Sequence, residues 1–385
     1  MGILSNHPPT GKTPQVSLFL PDLSGGGAEK VMVNLAEGFA RRGLRVDLVL
    51  VQAAGAYLSQ IPPGIRIINL HARSAYTAFP GLIAYLRREK PQALLSTLDL
   101  TNLIAILSGR LARTPARLVI RIANTVSIQH RSPAKKGLER LALSSIYPWA
   151  DEIVAVSDSV AADLSRYTGI PEGRIRTILN PTISPRLMEE AGQPLDHPWF
   201  SPGAAPVVLG VGRLTRQKDF GTLISAFARL RATRPARLII LGEGEERSHL
   251  ENLVQERGLV GDVELPGFVQ NPYAYMHRAA VFVLSSIWEG LPNSLIEALA
   301  CGCPVVSTDC PGGPAEILDG GKYGHLVPPG DPENMAEAIG KVLNGDKRQP
   351  PRSWLAKYEI ETVLNEYLAV LGVEYTPLNS PGRGL

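Results

Sequence analysis

The stretch WEGLPNSLIEALACGCPVV, Trp288 to Val306, reads as the turn, helix and returning strand of one βα-wound unit. The run VFVLSS before it has the apolar composition of a buried strand, Asn293 or Ser294 can open a helix, Gly302 closes it, and PVVST resumes the sheet. Two carboxylates mark the unit. Ser294-Leu295-Ile296-Glu297 has the spacing of a capping box, in which Glu297 turns back to the first free N–H of its helix. Glu289 has no such duty, because it stands at a strand's carboxyl end. In open α/β sheets that is where ligands bind, and the N–H groups of Gly290 through Ser294, Leu291 and Asn293 among them, suit phosphate oxygens there.

Outward from this unit the same pattern repeats. PVVLGVG, ARLIILGEG, DVELPGF, AVFVLSS, PVVSTDC and YGHLVPP are six apolar strands of the back half, with amphipathic runs such as Phe220–Thr233 and Arg247–Arg257 between them. The front half shows QVSLFLPD, Val46–Val51, PQALLSTLD, ARLVIRIAN and DEIVAVSDS. Continuous apolar strands separated by helices mean parallel sheets covered on both faces. The expected fold class is therefore α/β, and 385 residues suit two such domains rather than one core. The expected boundaries are 15–192 for the first domain, a Pro-rich linker at 193–206, 207–350 for the second, and a last helix over 353–372.

Composition excludes several classes. With 44% hydrophobic and 19% charged residues the chain is that of a globular protein, and no run approaches the roughly 18 apolar residues of a membrane span. The start, MGILSNHPPTGKTP, lacks the apolar core of a signal peptide and reads as a loose leader; Asn6 stands where a myristoylation pattern needs Ser or Thr. Cys301, Cys303 and Cys310 are odd in number and lack His partners, so they are expected to be reduced and packed as small apolar residues, not to hold zinc. Cytoplasmic localisation follows as the expectation. Charge is lopsided: 22 Lys and Arg stand against 14 Asp and Glu through Glu190, and 17 against 22 beyond it. The basic half is expected to meet something anionic. A basic groove with interleaved aromatics is missing, which argues against nucleic acid.

Three further loops follow strands. SGGGAEK, Ser24 to Lys30, lets backbone N–H groups approach an anion at a helix start. It is no dinucleotide fingerprint: the third glycine is missing, and the second strand ends at Gln52 rather than an acid, which argues against a dehydrogenase. In GVGRLTRQKDF, Arg213, Arg216 and Lys218 crowd a helix start whose dipole disfavours cations, beside Gly210 and Gly212. A diphosphate would justify them, with Arg213 as a fork and Lys218 as a point charge. GEGEE, Gly242 to Glu246, reads as a surface turn.

At this point the residues carry a resemblance. SIWEGLPNSLIEALACGCPVVSTDCPGGPAEIL resembles the signature region of family-4 retaining glycosyltransferases of the GT-B fold, with the E-x₇-E motif at Glu289 and Glu297. GRLTRQKD, SGGGAE and ILNPTI (178–183) are similar to further motifs of that family, in order, over about residues 15 to 372. The resemblance implies two Rossmann-like parallel-sheet domains facing across a cleft, with the last helix crossing back to the first. It implies a nucleotide-diphosphate sugar as donor substrate, no cofactor, and a site made of Gly26, Gly27, Gly212, Arg213, Lys218, Gly242, Phe268, Glu289, Gly290, Leu291, Asn293 and Glu297. Arg213 and Lys218 would hold the leaving diphosphate, Glu297 the ribose, and Glu289 the transferred sugar. No Asp-x-Asp pair occurs, so no metal is expected.

One departure stands out. Many members carry a His after the strand matching LVIRIAN, whereas this chain has Arg121 and Asn124, and its next His is His130. These three are the candidates for the acceptor or sugar side. The implied acceptor is a glycan or lipid-linked glycan of polysaccharide or lipopolysaccharide biosynthesis. Arg110, Arg113, Arg117, Arg131, Lys135 and Lys136 would then dock to an anionic membrane surface, making the enzyme peripheral. DCPGGPAEIL leans towards N-acetylhexosamine transfer from UDP, with UDP-glucose and GDP-mannose as alternatives. A sugar-nucleotide epimerase on the same fold and a non-catalytic sugar-nucleotide sensor are the rival functions.

Overall fold

The computed structural model describes residues 15–128 and 133–374. The chain divides into two compact units, one running to Pro181 and resuming at Ile360, the other spanning Thr182–Glu359.

Unit 1 is a seven-stranded, wholly parallel sheet in the order β3-β2-β1-β4-β5-β6-β7. Its strands are β1 (Val16–Leu20), β2 (Val46–Leu50), β3 (Ile65–Asn69), β4 (Ala93–Thr97), β5 (Arg117–Ile122), β6 (Glu152–Ala155) and β7 (Ile175–Thr177). Helices α1 (Gly27–Arg41), α2 (Ala75–Glu89), α3 (Asp99–Ala112), α4 (Pro133–Ile146) and α5 (Asp158–Thr168) connect them. β1, β2 and β4 are buried at every position, as a sheet covered on both faces requires. β3 and β7 escaped the sequence reading. β3 is a short edge strand whose register is pinned by Arg66, which forks onto Asp47 directly opposite it on β2 at 2.8 and 2.5 Å; β7 has only three residues.

Unit 2 is a six-stranded parallel sheet in the order β10-β9-β8-β11-β12-β13. Its strands are β8 (Val207–Val211), β9 (Arg237–Leu241), β10 (Val263–Gly267), β11 (Val281–Leu284), β12 (Val305–Thr308) and β13 (His325–Val327), the six the apolar runs mark. The helices are α6 (Pro185–Ala191), α7 (Phe220–Arg231), α8 (Arg247–Glu256), α9 (Pro272–Arg278), α10 (Asn293–Ala300), α11 (Pro314–Ile317), α12 (Pro332–Leu343) and α13 (Arg352–Leu355).

The boundaries differ from those expected. Unit 1 ends at Pro181, not at 192, because α6 and the segment after it pack on unit 2: Asn271 Nδ2 donates to the Glu190 carbonyl at 2.8 Å, and Arg278 Nη2 to that of Gln193 at 2.7 Å. Nor is 193–206 a free linker. His197 caps a 3₁₀ turn at Pro198–Phe200 and meets Glu264 at 3.0 Å. The crossover lies at Thr182 and Ile183, whose N–H groups both donate to the Tyr358 carbonyl, so the outgoing and returning strands of the chain run side by side.

The final helix is also shorter than expected. The run from 353 breaks into α13, a 3₁₀ turn at Ala356–Tyr358 and α14 (Ile360–Leu371), and only α14 belongs to unit 1. There it joins the core under β1 and β4, with Val363, Leu364, Tyr367 and Leu371 buried. α1 meets it at Gly38, where a Cβ would stand 2.4 Å from Leu364 Cδ1, so the absent side chain is what lets the helices touch. Leu364→Ala should therefore open a cavity and remove about 2–5 kcal/mol from unit 1. Calorimetry should show one transition moved several degrees downward; an unchanged thermogram would exclude this packing.

Candidate active site

The strand order of unit 2 reverses between β8 and β11. From β8 the chain winds outward through β9 and β10, and from β11 through β12 and β13, so a crevice opens beyond the carboxyl ends of these two neighbours. The loops bordering it, after β8 and after β11, are tied together. Ile287 N donates to the Gln217 carbonyl at 2.8 Å, Gln217 Nε2 to that of Trp288 at 2.8 Å, and Ser285 Oγ to that of Lys218 at 2.7 Å. In that frame Lys218 Nζ meets Glu289 Oε1 at 2.5 Å. Ser286 Oγ donates to the same oxygen at 2.5 Å, and Glu289 is 6% exposed.

Close backbone approach makes this possible. Gly242, after β9, has φ +147°, and a Cβ there would lie 1.8 Å from the Gly212 carbonyl oxygen. Gly312, after β12, has φ +120°, and its Cβ would lie 2.2 Å from the Glu289 carbonyl oxygen. Gly212 leaves room for Lys218, whose Cε would stand 3.2 Å from a Cβ there. Glu289 N donates to the Pro311 carbonyl at 2.9 Å, and Gly313 N to that of Gly290 at 2.7 Å.

α10 opens at Asn293 with Pro292 as its cap residue and no side-chain cap. The capping box is thus not formed. Ser294 is the second helical residue and Glu297 lies beyond the first turn, too far along to reach back to the cap. Glu297 is instead buried, with the Tyr273 hydroxyl 3.4 Å from its Oε1. Asn293 Oδ1 accepts from the Thr182 hydroxyl at 3.3 Å. Arg213 is exposed and makes no ion pair among the described residues. Asp219 caps α7 through Thr222, placing a carboxylate at that helix start, and burial raises its pKa. Gly290 and Leu291 sit with Glu289 in the β11 loop. Gly242 lies one strand further out, and Phe268, exposed after the edge strand β10, is two strands from β8. Of the GEGEE turn, Glu243 is an ion-pair partner of Arg247 at 2.7 Å.

In unit 1 the order reverses at β1 and β4. Gly26 caps α1 and Gly27 is its first residue. Leu23 in that loop is held by Ala54 and Tyr57 through backbone bonds of 2.9 and 3.1 Å. Arg121, expected on the acceptor side, is 1% exposed. Its Nη1 donates to Thr97 Oγ1 at 3.0 Å and its Nη2 to Asn180 Oδ1 at 2.6 Å. The Tyr367 hydroxyl of α14 lies against the guanidinium without an aligned hydrogen bond, and burial lowers the arginine's pKa. All of this turns Arg121 into the core and away from a ligand surface. Asn124 is half-buried and binds the following N–H, and His130 lies outside the described residues.

Of the membrane-docking cations, Arg117 is engaged internally, by the Val370 carbonyl at 2.6 Å and Glu152 at 2.7 Å. Arg131 and the Lys135 side chain lie outside the described residues. The three cysteines are buried, and burial pushes Cys310 up to about 12 and Cys303 higher still.

Two residues with work near these loops were missed. Ser286, three before Glu289, holds the carboxylate, and the Ser-x-x-Glu spacing was the available signal. Asp163 of α5 accepts from Val126 N, Ser127 N and Ser127 Oγ at 2.7, 3.1 and 2.5 Å, fixing the loop that carries Asn124. No local sequence signal joins residues 36 apart. Among the described residues no three His, Cys, Asp or Glu side chains converge as a metal site, and no helix is long and apolar enough to cross a membrane.

Two family descriptions match the chain: Glycosyltransferase Family 4 over residues 25–182 and Glycosyl transferases group 1 over residues 196–358. Among relatives, a Campylobacter jejuni N-acetylgalactosamine-N,N'-diacetylbacillosaminyl-diphospho-undecaprenol 4-alpha-N-acetylgalactosaminyltransferase is 29% identical, over 86% of this chain and 91% of that protein. The lipopolysaccharide core biosynthesis glycosyltransferase LpsE of Rhizobium meliloti is 29% identical over 89% and 92%. The crystal structure of Anabaena Alr3699/HepE with UDP-glucose superposes with a TM-score of 0.74 at 18% identity, over 93% of this chain and 99% of that one. With both of its units matched and both parallel sheets of the GT-B form, this chain belongs to the family-4, group 1 glycosyltransferases.

Proposed function

We propose that this glycosyltransferase moves a hexose or N-acetylhexosamine from a nucleoside-diphosphate sugar, with UDP as the nucleotide, onto a lipid-linked or polysaccharide acceptor, with retention and without a metal ion. The observation that carries the reading is the Lys218–Glu289 pair at the β8/β11 reversal, beside the N-terminus of α10. The relative of Campylobacter jejuni, named for N-acetylgalactosaminyl transfer to a diphospho-undecaprenol glycan, supports the acceptor class, and the HepE complexes support UDP.

The chemistry follows from charge. As the bond from the sugar's C1 to the diphosphate breaks, its electron pair moves to the phosphate oxygen. Arg213, Lys218 and the first N–H groups of α10, with those of Gly290 and Leu291, stabilise that oxygen; one such donor is worth about 3–4 kcal/mol of barrier. Lys218 carries three donors and Glu289 Oε1 takes one, leaving the others for phosphate. Ser286 and Lys218 both occupy Oε1, so Oε2 is left to accept from hydroxyls of the transferred sugar. Glu297 and Asn293 complete the donor pocket. The acceptor hydroxyl attacks C1 from the face the diphosphate leaves, and its proton passes to the departing phosphate oxygen. That same-face course gives retention without a basic His. Asn124 serves the acceptor or sugar side, and the basic first half brings the enzyme to an anionic membrane at its cytoplasmic face.

Saturating UDP should raise the melting temperature, by about 2.7 kcal/mol of stabilisation at a hundredfold excess over Kd, while GDP should not; the reverse pattern overturns the nucleotide assignment. Arg213→Ala should lower kcat/KM about 10²–10³-fold with EDTA present throughout, and UDP should be released only when acceptor is supplied. Release without acceptor favours an epimerase, and no release a sensor. Lys218→Met alone should destabilise by about 3–5 kcal/mol because it strands a buried carboxylate. Adding Glu289→Gln should recover most of that loss, and additive losses would exclude the pairing.

A further inference from the structure

We infer that Tyr273 is a positioning residue for Glu297, and that through it α9 sets how well the enzyme tells ribose from deoxyribose in its donor. The inference rests on the donor pocket proposed above, with Glu297 at the ribose. A carboxylate withdrawn from water needs hydrogen-bond donors. Glu297 is 4% exposed, and the cap of its own helix supplies none, because Pro292 has no N–H. The Tyr273 hydroxyl, on a side chain itself 8% exposed, stands 3.4 Å from Glu297 Oε1. A buried tyrosine hydroxyl calls for a partner, and it is a particular kind of partner for a carboxylate. Where a Lys or Arg in that place would cancel the charge, a hydroxyl keeps it and orients one oxygen with a single proton.

The placement of Tyr273 is fixed by its helix. α9 packs against both α6 and α10. Three contacts join α9 and the residue after it to α10 and the turn that follows, all at one offset of 24 residues. Tyr273 meets Glu297, His277 Nδ1 lies 3.1 Å from the Cys301 carbonyl, and Cys303 Sγ donates to the Ala279 carbonyl at 3.6 Å. Tyr273 and His277 are one turn apart on α9, as Glu297 and Cys301 are on α10, so the two helices meet turn for turn. A slip of one turn, about 5.4 Å, would break all three contacts. On its other side α9 is tied to the segment around the end of α6, through Asn271 to the Glu190 carbonyl at 2.8 Å and Arg278 to that of Gln193 at 2.7 Å. Helix packing, not a ligand, therefore brings the Tyr273 hydroxyl to the level of Glu297.

Calorimetric titration with UDP, 2′-deoxy-UDP and 3′-deoxy-UDP tests this on the wild-type chain, Tyr273→Phe, Glu297→Gln and the double variant. Tyr273→Phe keeps the ring and its packing and removes only the hydroxyl. The wild-type chain should bind UDP roughly tenfold more tightly than at least one deoxy form. At 3.4 Å the contact is long for O–H···O, so Tyr273→Phe should weaken UDP about tenfold and not a hundredfold. The affinity for that deoxy form should stay as it was, so that the preference all but disappears. The double variant should match Glu297→Gln, because Tyr273 acts through Glu297. A ratio of affinities is untouched by the folded fraction, so it reads the role even where a variant melts lower. Equal weakening of UDP and the deoxy forms in Tyr273→Phe, an unchanged preference there, or additive losses in the double variant overturns the inference; with the preference lost in Glu297→Gln, the donor reading survives. A wild-type chain without preference among the three nucleotides, or Glu297→Gln with its preference intact, overturns the ribose role of Glu297 and the role of Tyr273 with it.

Discussion

A Cβ on Gly242 would stand 1.8 Å from the Gly212 carbonyl oxygen, and one on Gly312 would stand 2.2 Å from that of Glu289. Such distances permit no side chain at all, so four consecutive loops of unit 2 are stacked backbone against backbone at one end of its sheet. This contact is what gives the site its rigidity. Loops are ordinarily the mobile parts of an α/β domain, but here backbone bonds join neighbouring loops, as in Glu289 to Pro311 and Gly313 to Gly290. The side chains that carry chemistry therefore project from a frame that need not reorganise when a charged ligand arrives, the condition under which preplaced dipoles stabilise a developing charge best.

The Lys218–Glu289 pair takes its meaning from that frame. Withdrawing two ions from water is unfavourable, and a well-packed apolar pair would often be as stable or more so. A parallel sheet with cores as dry as these had apolar solutions at hand. That it holds a charged pair there, at the reversal of strand order, argues that the pair is kept for a ligand and not for the fold. Ser286 supports this view, since its hydroxyl constrains one oxygen of Glu289 and leaves the other to the crevice. Both partners are thus fixed relative to each other by neighbouring loops of unit 2.

Most of this frame was legible in the sequence because it is written in local period and composition. All six strands of unit 2 stood out as apolar runs, and the loops that matter followed from knowing that ligands bind beyond strand ends. What was lost was lost for identifiable reasons. β3 and β7 are edge strands with partly exposed positions, and β7 has only three residues, so their apolar signal is weak. The capping box at Ser294 failed because the helix starts with Pro292 as its cap, two residues earlier than the Ser-x-x-Glu spacing suggests. The boundary at Pro181 was hidden because α6 looks like any helix of the first sheet until its contacts with α9 are seen. Asp163 and Arg121 illustrate the general limit. Their work is done on residues 24 to 246 positions away, which no short window of sequence spans.

Arg121 shows how a misassigned charge becomes informative once its surroundings are known. No carboxylate touches it; Glu29 acts only across a distance, and burial pulls its pKa down. Its guanidinium donates to Thr97 and Asn180, with the Tyr367 oxygen beside it. These come from the end of β4, from the residue before the chain leaves unit 1 at Pro181, and from α14, with which it returns. An apolar core would pack such segments in several registers of similar energy. A buried cation with oriented acceptors admits one arrangement, because any slip strands its charge. Arg121 thus fixes, within unit 1, the place from which the polypeptide departs and to which it comes back.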